Sequence, residues 1–249
     1  VAMTSGATPP ETVTEDLLLG GRLRLLQPAD GYRAAIDPVL LAASVATPEG
    51  GSVLDLGCGS GAALLCLGWR RPDLALTGLD ADADALALAQ RSAALNDMAG
   101  RCSFLRRAVE DGLPRQAFDA VMTNPPYLEQ GRGTAPANSR RDAHMEGGAD
   151  LARWLDEATR ALRPRGSLHV IHRADRLPEI LALIAPRLGA IEILPLWPKA
   201  GAEARRVIVS GRLGRRTPAR LRPGLVLHAA DGAFTPEAEA ILRGGGVLI

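Results

Sequence analysis

Polar and apolar positions along the chain sort into two recurring patterns. Short, largely apolar runs (SVLDLG, LALTGLD, CSFL, FDAVMT, SLHVIH, AIEILPL and ARRVIVSGR) lack the strict alternation of a strand with one wet face. They read as strands covered on both sides. Between them lie segments with helical spacing or strong helix formers: ALLCLGWR, residues 82–95, ADLARWLDEATRAL over 149–162, and residues 176–187. A further helix is predicted from Asp37 to about Ala46, capped by Asp37 with Pro38 in its first turn. The stretch GLVLHAADGAFTPEAEAIL predicts a short strand, an Asp-Gly turn and a helix capped at Thr235. Residues 1–13 read as a flexible leader, GGRLRLLQPADGYRAAIDPVLLAAS as a basic apolar stretch that ends in the helix from Asp37, and 128–148 as a long mobile loop. Strand–helix alternation of this kind predicts an open, mostly parallel α/β sheet with helices on both faces.

Composition narrows the setting. The chain has 249 residues, enough for one substantial core and few enough that a single domain over 14–249 is expected. A hydrophobic content of 47% excludes wholesale disorder, and the spread of charge leaves no membrane span. No signal peptide is visible, and Cys58, Cys66 and Cys102 form neither a disulfide framework nor a CxxC pair, so a cytoplasmic setting is expected. No His, Cys and carboxylate cluster has metal-ligand spacing. The formal charge is only +1, yet residues 204–230 hold seven Arg and no acid, leaving the remainder net acidic. That block reads either as a phosphate-facing rim or as an ordinary solvated edge.

Two motifs carry chemistry. In Asp55-Leu56-Gly57-Cys58-Gly59-Ser60-Gly61, glycines at a strand-to-helix corner allow a tight turn and close approach of a ligand. Either a dinucleotide or S-adenosylmethionine fits such a corner. Asp55 favours the second, because a carboxylate at the strand end can face an ammonium group. Asp80, ending the next strand, is placed to accept both hydroxyl protons of a ribose. The second motif, Asn124-Pro125-Pro126-Tyr127, follows FDAVMT. Prolines fix the backbone and remove two N–H donors. An Asn oxygen and the Pro125 carbonyl can then accept both hydrogens of a planar amine, while Tyr127 stacks on the acceptor. A rigid turn with a core Tyr is the structural alternative.

With these motifs the chain resembles Rossmann-like S-adenosylmethionine-dependent methyltransferases of the amino-methylating class. The segments TEDLLLGGRLRLLQPADGYRAAIDPVLLAA, NPPYLEQG, LHVIHRADRL, ILPLWPKAGAEARRVIVSGR and LVLHAADGAFTPEAEAILR resemble, more narrowly, the bacterial family related to tRNA(Val) adenine-37 N6-methyltransferase. The resemblance implies a seven-stranded sheet with an antiparallel C-terminal edge strand, a cofactor half over about 37–122 and a substrate half over about 123–249. It implies S-adenosylmethionine as cofactor, S-adenosylhomocysteine as product, and an exocyclic adenine amine of tRNA as acceptor. Alternatives are the glutamine amide of a release factor, guanine N2 of rRNA, or a catalytically silent RNA-binding homologue. By position, Asp55, Gly57, Cys58, Gly59, Gly61, Asp80 and Asn124 would contact the cofactor, and Asn124 through Tyr127 would form the catalytic motif. Where such families place an acid to read the cofactor's adenine amine, this chain has Ala108, with Glu110 and Asp111 as candidate substitutes.

Weaker signals concern the acceptor. Tyr32 and Arg33 precede the cofactor strand, where relatives close over the methyl donor. His172 and Arg173 end SLHVIH at the edge where such sheets bind ligands, Trp197 is placed to stack on a base, and His144 lies in the 128–148 segment. Arg205, Arg215 and Arg216 represent the basic block.

Overall fold

The computed structural model describes residues 13–29, 35–126 and 150–248. The main sheet is built from β3 (Ser52–Leu56), β4 (Ala75–Asp80), β5 (Cys102–Arg106), β6 (Phe118–Thr123), β7 (Leu162–Arg173), β8 (Leu188–Lys199), β9 (Arg206–Leu213), β10 (Arg220–Leu221) and β11 (Leu225–His228). Its order is β10-β8-β9-β7-β6-β3-β4-β5, and β11 also pairs with β8. Strands β3 to β7 run parallel to one another.

The antiparallel strand near the C-terminal side is β9, which inserts between β7 and β8 and so is not itself the margin. Strands β3 to β9 account for the seven expected. The two short additions, β10 and β11, run parallel to β8. They extend the sheet because β8 is twelve residues long and has free edge on both halves of its outer side.

Apolar runs bury alternate residues on opposite faces. Val53, Leu76, Ala120, Met122 and Ile171 join one core with α1 (Asp37–Ala43), α2 (Ala62–Arg70) and α3 (Ala83–Leu95). Leu54, Leu56, Val121, Leu168 and Val170 join the other with α4 (Leu151–Ala161) and α5 (Leu177–Ile184). Both faces are thereby covered, as the strand pattern requires.

The caps follow local chemistry. Asp82 accepts from the N–H groups of Asp84 and Ala85, Asp150 from that of Arg153 at 2.7 Å, and Thr235 from that of Ala238 at 3.2 Å. The last opens α6 (Pro236–Leu242). Asp37 does not cap α1. It sits inside the first turn, and its carboxylate instead pairs with Arg206 of β9 at 2.9 Å.

The start of the basic apolar stretch proves to be half of a hairpin, β1 (Val13–Leu18) with β2 (Leu23–Pro28), forming a separate two-stranded sheet. Gly20 and Gly21 turn it with φ of 65° and 89°, while Leu23 and Leu25 point into the α2 side of the core. Ser92 and Asn96 of the α3 region receive its Leu26 and Arg24 N–H groups, each at 2.9 Å.

The C-terminal segment folds back onto the first helices. Arg70 at the end of α2 donates to the Gly246 and Ile241 carbonyls, both at 2.7 Å, and the Leu248 N–H donates to Ala43 at 2.8 Å. Among the described residues no helix is long and apolar enough to cross a membrane.

Candidate active site

β3, β6 and β7 lie side by side, so their carboxyl ends bring three sequence-distant segments to one edge of the sheet. Leu56 pairs with Thr123, and Thr123 with Val170. Directly beyond these positions come the glycine corner, Asn124-Pro125-Pro126 and His172-Arg173.

At the corner, Gly57, Gly59 and Gly61 have φ of 75°, 54° and 87°, a region that side chains with a Cβ rarely adopt. The Gly57 and Cys58 N–H groups both donate to the Leu79 carbonyl, at 2.8 and 3.0 Å, so the loop folds over the end of β4. Asp80 fixes it from there: its carboxylate accepts from the Gly59 N–H at 2.7 Å and the Asp82 N–H at 3.0 Å. Two of the glycines also answer to packing by the protein itself. A Cβ on Gly57 would lie 2.8 Å from the Trp154 ring, and one on Gly61 would lie 3.1 Å from the Ala89 Cβ.

Asp55 is 2% exposed, and its Oδ2 is buried without a hydrogen-bond partner. Burial pushes its carboxyl up to about 7; the Leu64 N–H opposes this and the negative charge of Asp80 adds to it. Cys58 is also buried, and that burial, with the charges of Asp55 and Asp80, raises its thiol and keeps it protonated. A buried acceptor left open costs stability unless something polar fills the place.

A second open acceptor lies on the adjacent strand. The Oδ1 of Asn124 is sealed from solvent and has no hydrogen-bond partner, although the residue as a whole is half-buried. Strand alternation puts Asp55 and Met122 on the α1–α3 face and Thr123 on the α4 face. The ladder with β3 ends at Thr123, and Pro125, buried, and Pro126, exposed, follow Asn124 without N–H groups to resume it.

Thr123 itself is fully buried. Its hydroxyl donates to the Leu56 carbonyl at 2.7 Å and accepts from the Trp154 indole N–H at 2.8 Å. Neither Thr123 nor Trp154 was singled out from the sequence. Trp154 reads there as one more apolar position of an amphipathic helix. Its signal was its rarity: it is one of three Trp in the chain and stands on the helix that follows the Asn-Pro-Pro segment.

On the α5 side, a cleft beside Pro126 is lined by Asp150, Leu151, Ala152, His172, Arg176 and Glu179. His172 is 1% exposed, and its Nδ1 accepts from the Arg173 N–H at 2.8 Å, which puts the ring hydrogen on Nε2. Burial first, then Arg176, lowers its pKa to about 4, so it is neutral at pH 7.

The remaining candidates fall in several places. Arg173 pairs with Asp175 and shares a second cleft with Ala204, Arg205 and Arg206, at the same edge as Asn124. Arg215 and Arg216 follow the far end of β9, where Arg212 pairs with Gly189 and Ser167, so they lie at the opposite edge. The seven-Arg block is thus split by one strand. Trp197 of β8 donates its indole N–H to the Pro223 carbonyl at 3.2 Å and fills the space beside Gly224, bracing the segment that enters β11.

Ala108 precedes a 3-10 turn (Val109–Asp111) and accepts from the Asp111 N–H at 3.2 Å; Glu110 and Asp111 are exposed on that turn. Tyr32, Arg33, Tyr127 and His144 lie outside the described residues, as does all of 128–148. No group of three metal-ligating side chains occurs among the described residues.

Residues 35–192 match the family model of the methyltransferase small domain. The chain is 29% identical to the tRNA1(Val) (adenine(37)-N6)-methyltransferase of Aeromonas hydrophila, over 82% of this chain and 85% of that protein. It is 27% identical to the enzyme of the same name from Porphyromonas gingivalis, over 89% and 91%. The release factor glutamine methyltransferase of Salmonella typhimurium is 36% identical over 48% of this chain and 46% of its own length. Among solved structures, a predicted O-methyltransferase from Agrobacterium tumefaciens matches with a TM-score of 0.70 and 28% identity, covering 85% of this chain and 98% of that one. The 16S rRNA N2 G1207 methyltransferase of T. thermophilus, solved with AdoMet and guanosine, shares the fold at a TM-score of 0.58 and 19% identity, over 82% and 51%. The matched region runs from α1 into β8 and includes both open acceptors. The chain belongs to the methyltransferase small domain family, and it is an S-adenosylmethionine-dependent N-methyltransferase.

Proposed function

We propose that this protein methylates the N6 amine of an adenine in tRNA, within the cytoplasm, through Asn124 and the two prolines that follow it. One observation carries the reading. Two buried acceptors without partners, Asp55 Oδ2 and Asn124 Oδ1, stand at the ends of neighbouring strands. Each suits one reactant.

The residues at the glycine corner fit S-adenosylmethionine. The open Asp55 oxygen suits its ammonium, and Asp80, already folded against the Gly59 N–H, lies where ribose hydroxyls would add a second set of bonds. When bound, this cofactor supplies an electrophilic methyl on a sulfonium.

The chain's part is positioning and stabilisation of developing charge. An exocyclic amine is a weak nucleophile because its lone pair is delocalised into the ring. Asn124 Oδ1 and the Pro125 carbonyl would accept its two N–H bonds and draw them out of plane, concentrating the lone pair towards the methyl. As the N–C bond forms the methyl–sulfur bond would break, its electron pair staying on sulfur to give neutral S-adenosylhomocysteine. The nitrogen would become cationic, the same two acceptors would stabilise it, and its extra proton would then leave to water. No strong base is needed before attack. An adenine in RNA would have to be extruded from its stack to reach this edge.

The glutamine amide of a protein presents the same pair of N–H donors, and the match to the release factor enzyme keeps that reading in view. It spans less than half of that relative, whereas the tRNA enzymes are matched over most of their length. Incubation with labelled S-adenosylmethionine and undermodified tRNA, rRNA and protein fractions separates the readings. N6-methyladenosine from tRNA is expected with the wild type and not with Asn124→Ala. Label confined to protein overturns the tRNA assignment.

A further inference from the structure

Transfer between two bound groups depends on how the strands that hold them are placed relative to each other. Here the methyl donor's corner grows out of β3 and the acceptor's turn out of β6. Their backbone ladder ends at Leu56 and Thr123. Past that point the chain from β6 runs through Asn124 into two prolines, which have no N–H to offer, and β3 enters glycines that turn towards β4. Backbone pairing therefore stops one residue short of Asn124.

Side chains take over at that position. The Thr123 hydroxyl uses its single hydrogen on the Leu56 carbonyl and receives the Trp154 N–H on its lone pair. The same indole ring fills the space over Gly57, 2.8 Å from where a Cβ would stand. Trp154 comes from α4, beneath the sheet on the face opposite Asp55. One side chain thus touches the last residue before Asn124 and the first glycine of the corner.

We infer that Trp154 is a positioning residue for methyl transfer. Acting through Thr123, it clamps the acceptor turn against the donor corner and sets the gap that the methyl crosses. This rests on the reading of Asn124 and the glycine corner as the acceptor and donor sites. Errors of the order of an ångström in such a gap lower turnover by about a hundredfold.

The test compares Trp154→Phe, Thr123→Val and the double variant in the full chain, with S-adenosylmethionine and whichever fraction, RNA or protein, the wild type labels. Phe keeps a ring over Gly57 but removes the N–H, and Val keeps the shape of Thr123 but removes the hydroxyl. Each single variant is expected to lower kcat at least tenfold while changing the KM for S-adenosylmethionine less than about threefold. The double variant is expected to be no worse than the poorer single one, because one chain of bonds is cut in either case. A purely structural Trp154 would instead lower the melting temperature and leave kcat of the folded fraction intact, which overturns the proposal. Additive losses in the double variant also overturn it.

A second readout needs no acceptor. Trp69 packs on Gly245 and Trp197 on Gly224, both away from the corner. Tryptophan fluorescence should respond to S-adenosylhomocysteine, and that response should vanish in Trp154→Phe. A response that survives removes Trp154 from the donor site. Full activity of Asn124→Ala would instead overturn the acceptor reading itself, so the two failures are told apart.

Discussion

Asp55 is a carboxylate held where a carboxylate is costly. Its folded pKa of about 7 stands above the usual value near 4. Below roughly pH 4 it is protonated in both folded and unfolded chains. Between there and pH 7 the unfolded chain releases the proton and the folded chain keeps it, so stability falls as pH rises through that window and is level beyond it. Asp55→Asn is therefore expected to stabilise the ligand-free protein more at pH 8 than at pH 5, as melting temperatures would report. A ligand ammonium reverses the preference. Affinity for S-adenosylhomocysteine should weaken as pH drops below 7, approaching tenfold per unit, and calorimetric titrations of Asp55→Asn should lose that dependence. A wild type with flat affinity from pH 6 to 8 would exclude Asp55 as the ammonium's partner. Of the residues gathered at the candidate donor corner, Asp55, Asp80 and the glycines were legible because their spacing at a strand-to-helix corner is itself the signal. Trp154 was not, since a Trp on a helix's apolar face carries no mark of what lies above it.

At the scale of elements, the glycine corner shows two demands converging on one position. Gly57 needs a left-handed backbone, and the space its Cβ would fill belongs to Trp154 of α4. Strain in that backbone region alone costs a non-glycine residue about 1–2 kcal/mol. Displacing a half-buried indole from its bond to Thr123 adds to that. Gly57→Ala should lose about 2 kcal/mol or more in a urea melt, together with S-adenosylhomocysteine binding. Pairing it with Trp154→Leu should return part of the stability and none of the turnover. Unchanged stability in Gly57→Ala would mean the corner is softer than its contacts indicate. The strand and helix blocks were readable from apolar runs because parallel strands bury both faces. The hairpin was missed, although Leu23-Arg24-Leu25 beside Gly20-Gly21 is its pattern, because a basic apolar stretch reads equally as loop. The extra residues at the start of β7 were also missed. Pro164 and a left-handed Arg165 argue locally against a strand, and the irregular pairing opposite Phe118 and Ala120 absorbs them.

Over the whole molecule, the direction of β9 decides which charges can act together. Eight residues of strand carry the chain roughly 25 Å from Arg206 at the candidate site's edge to Leu213 at the other. Local sequence does not encode that reversal, so a seven-Arg block looks continuous on paper and is divided in space. If tRNA is the acceptor, Arg205→Ala should weaken its binding and reduce the slope of log affinity against log salt by about 1. Arg215→Ala with Arg216→Ala should leave both unchanged in the same anisotropy titrations. The reverse order of effects would move the RNA path to the amino edge of the sheet.

The return of the C-terminal segment onto α1 and α2 bears on the order in which the molecule is assembled. Arg70 ends the helix that begins at the glycine corner, and its partners lie 176 and 171 residues further along. Trp69 beside it lies under the Arg22 guanidinium and also packs on Gly245. During synthesis the strands β3 to β6 can pair early, yet Arg70 at the far end of that helix lacks these two carbonyl partners until residues 241–246 have emerged. Contacts of such sequence separation form late and slowly. The helix that begins at the candidate donor corner is thus made well before the segment that holds its far end, so that end is locked late in folding.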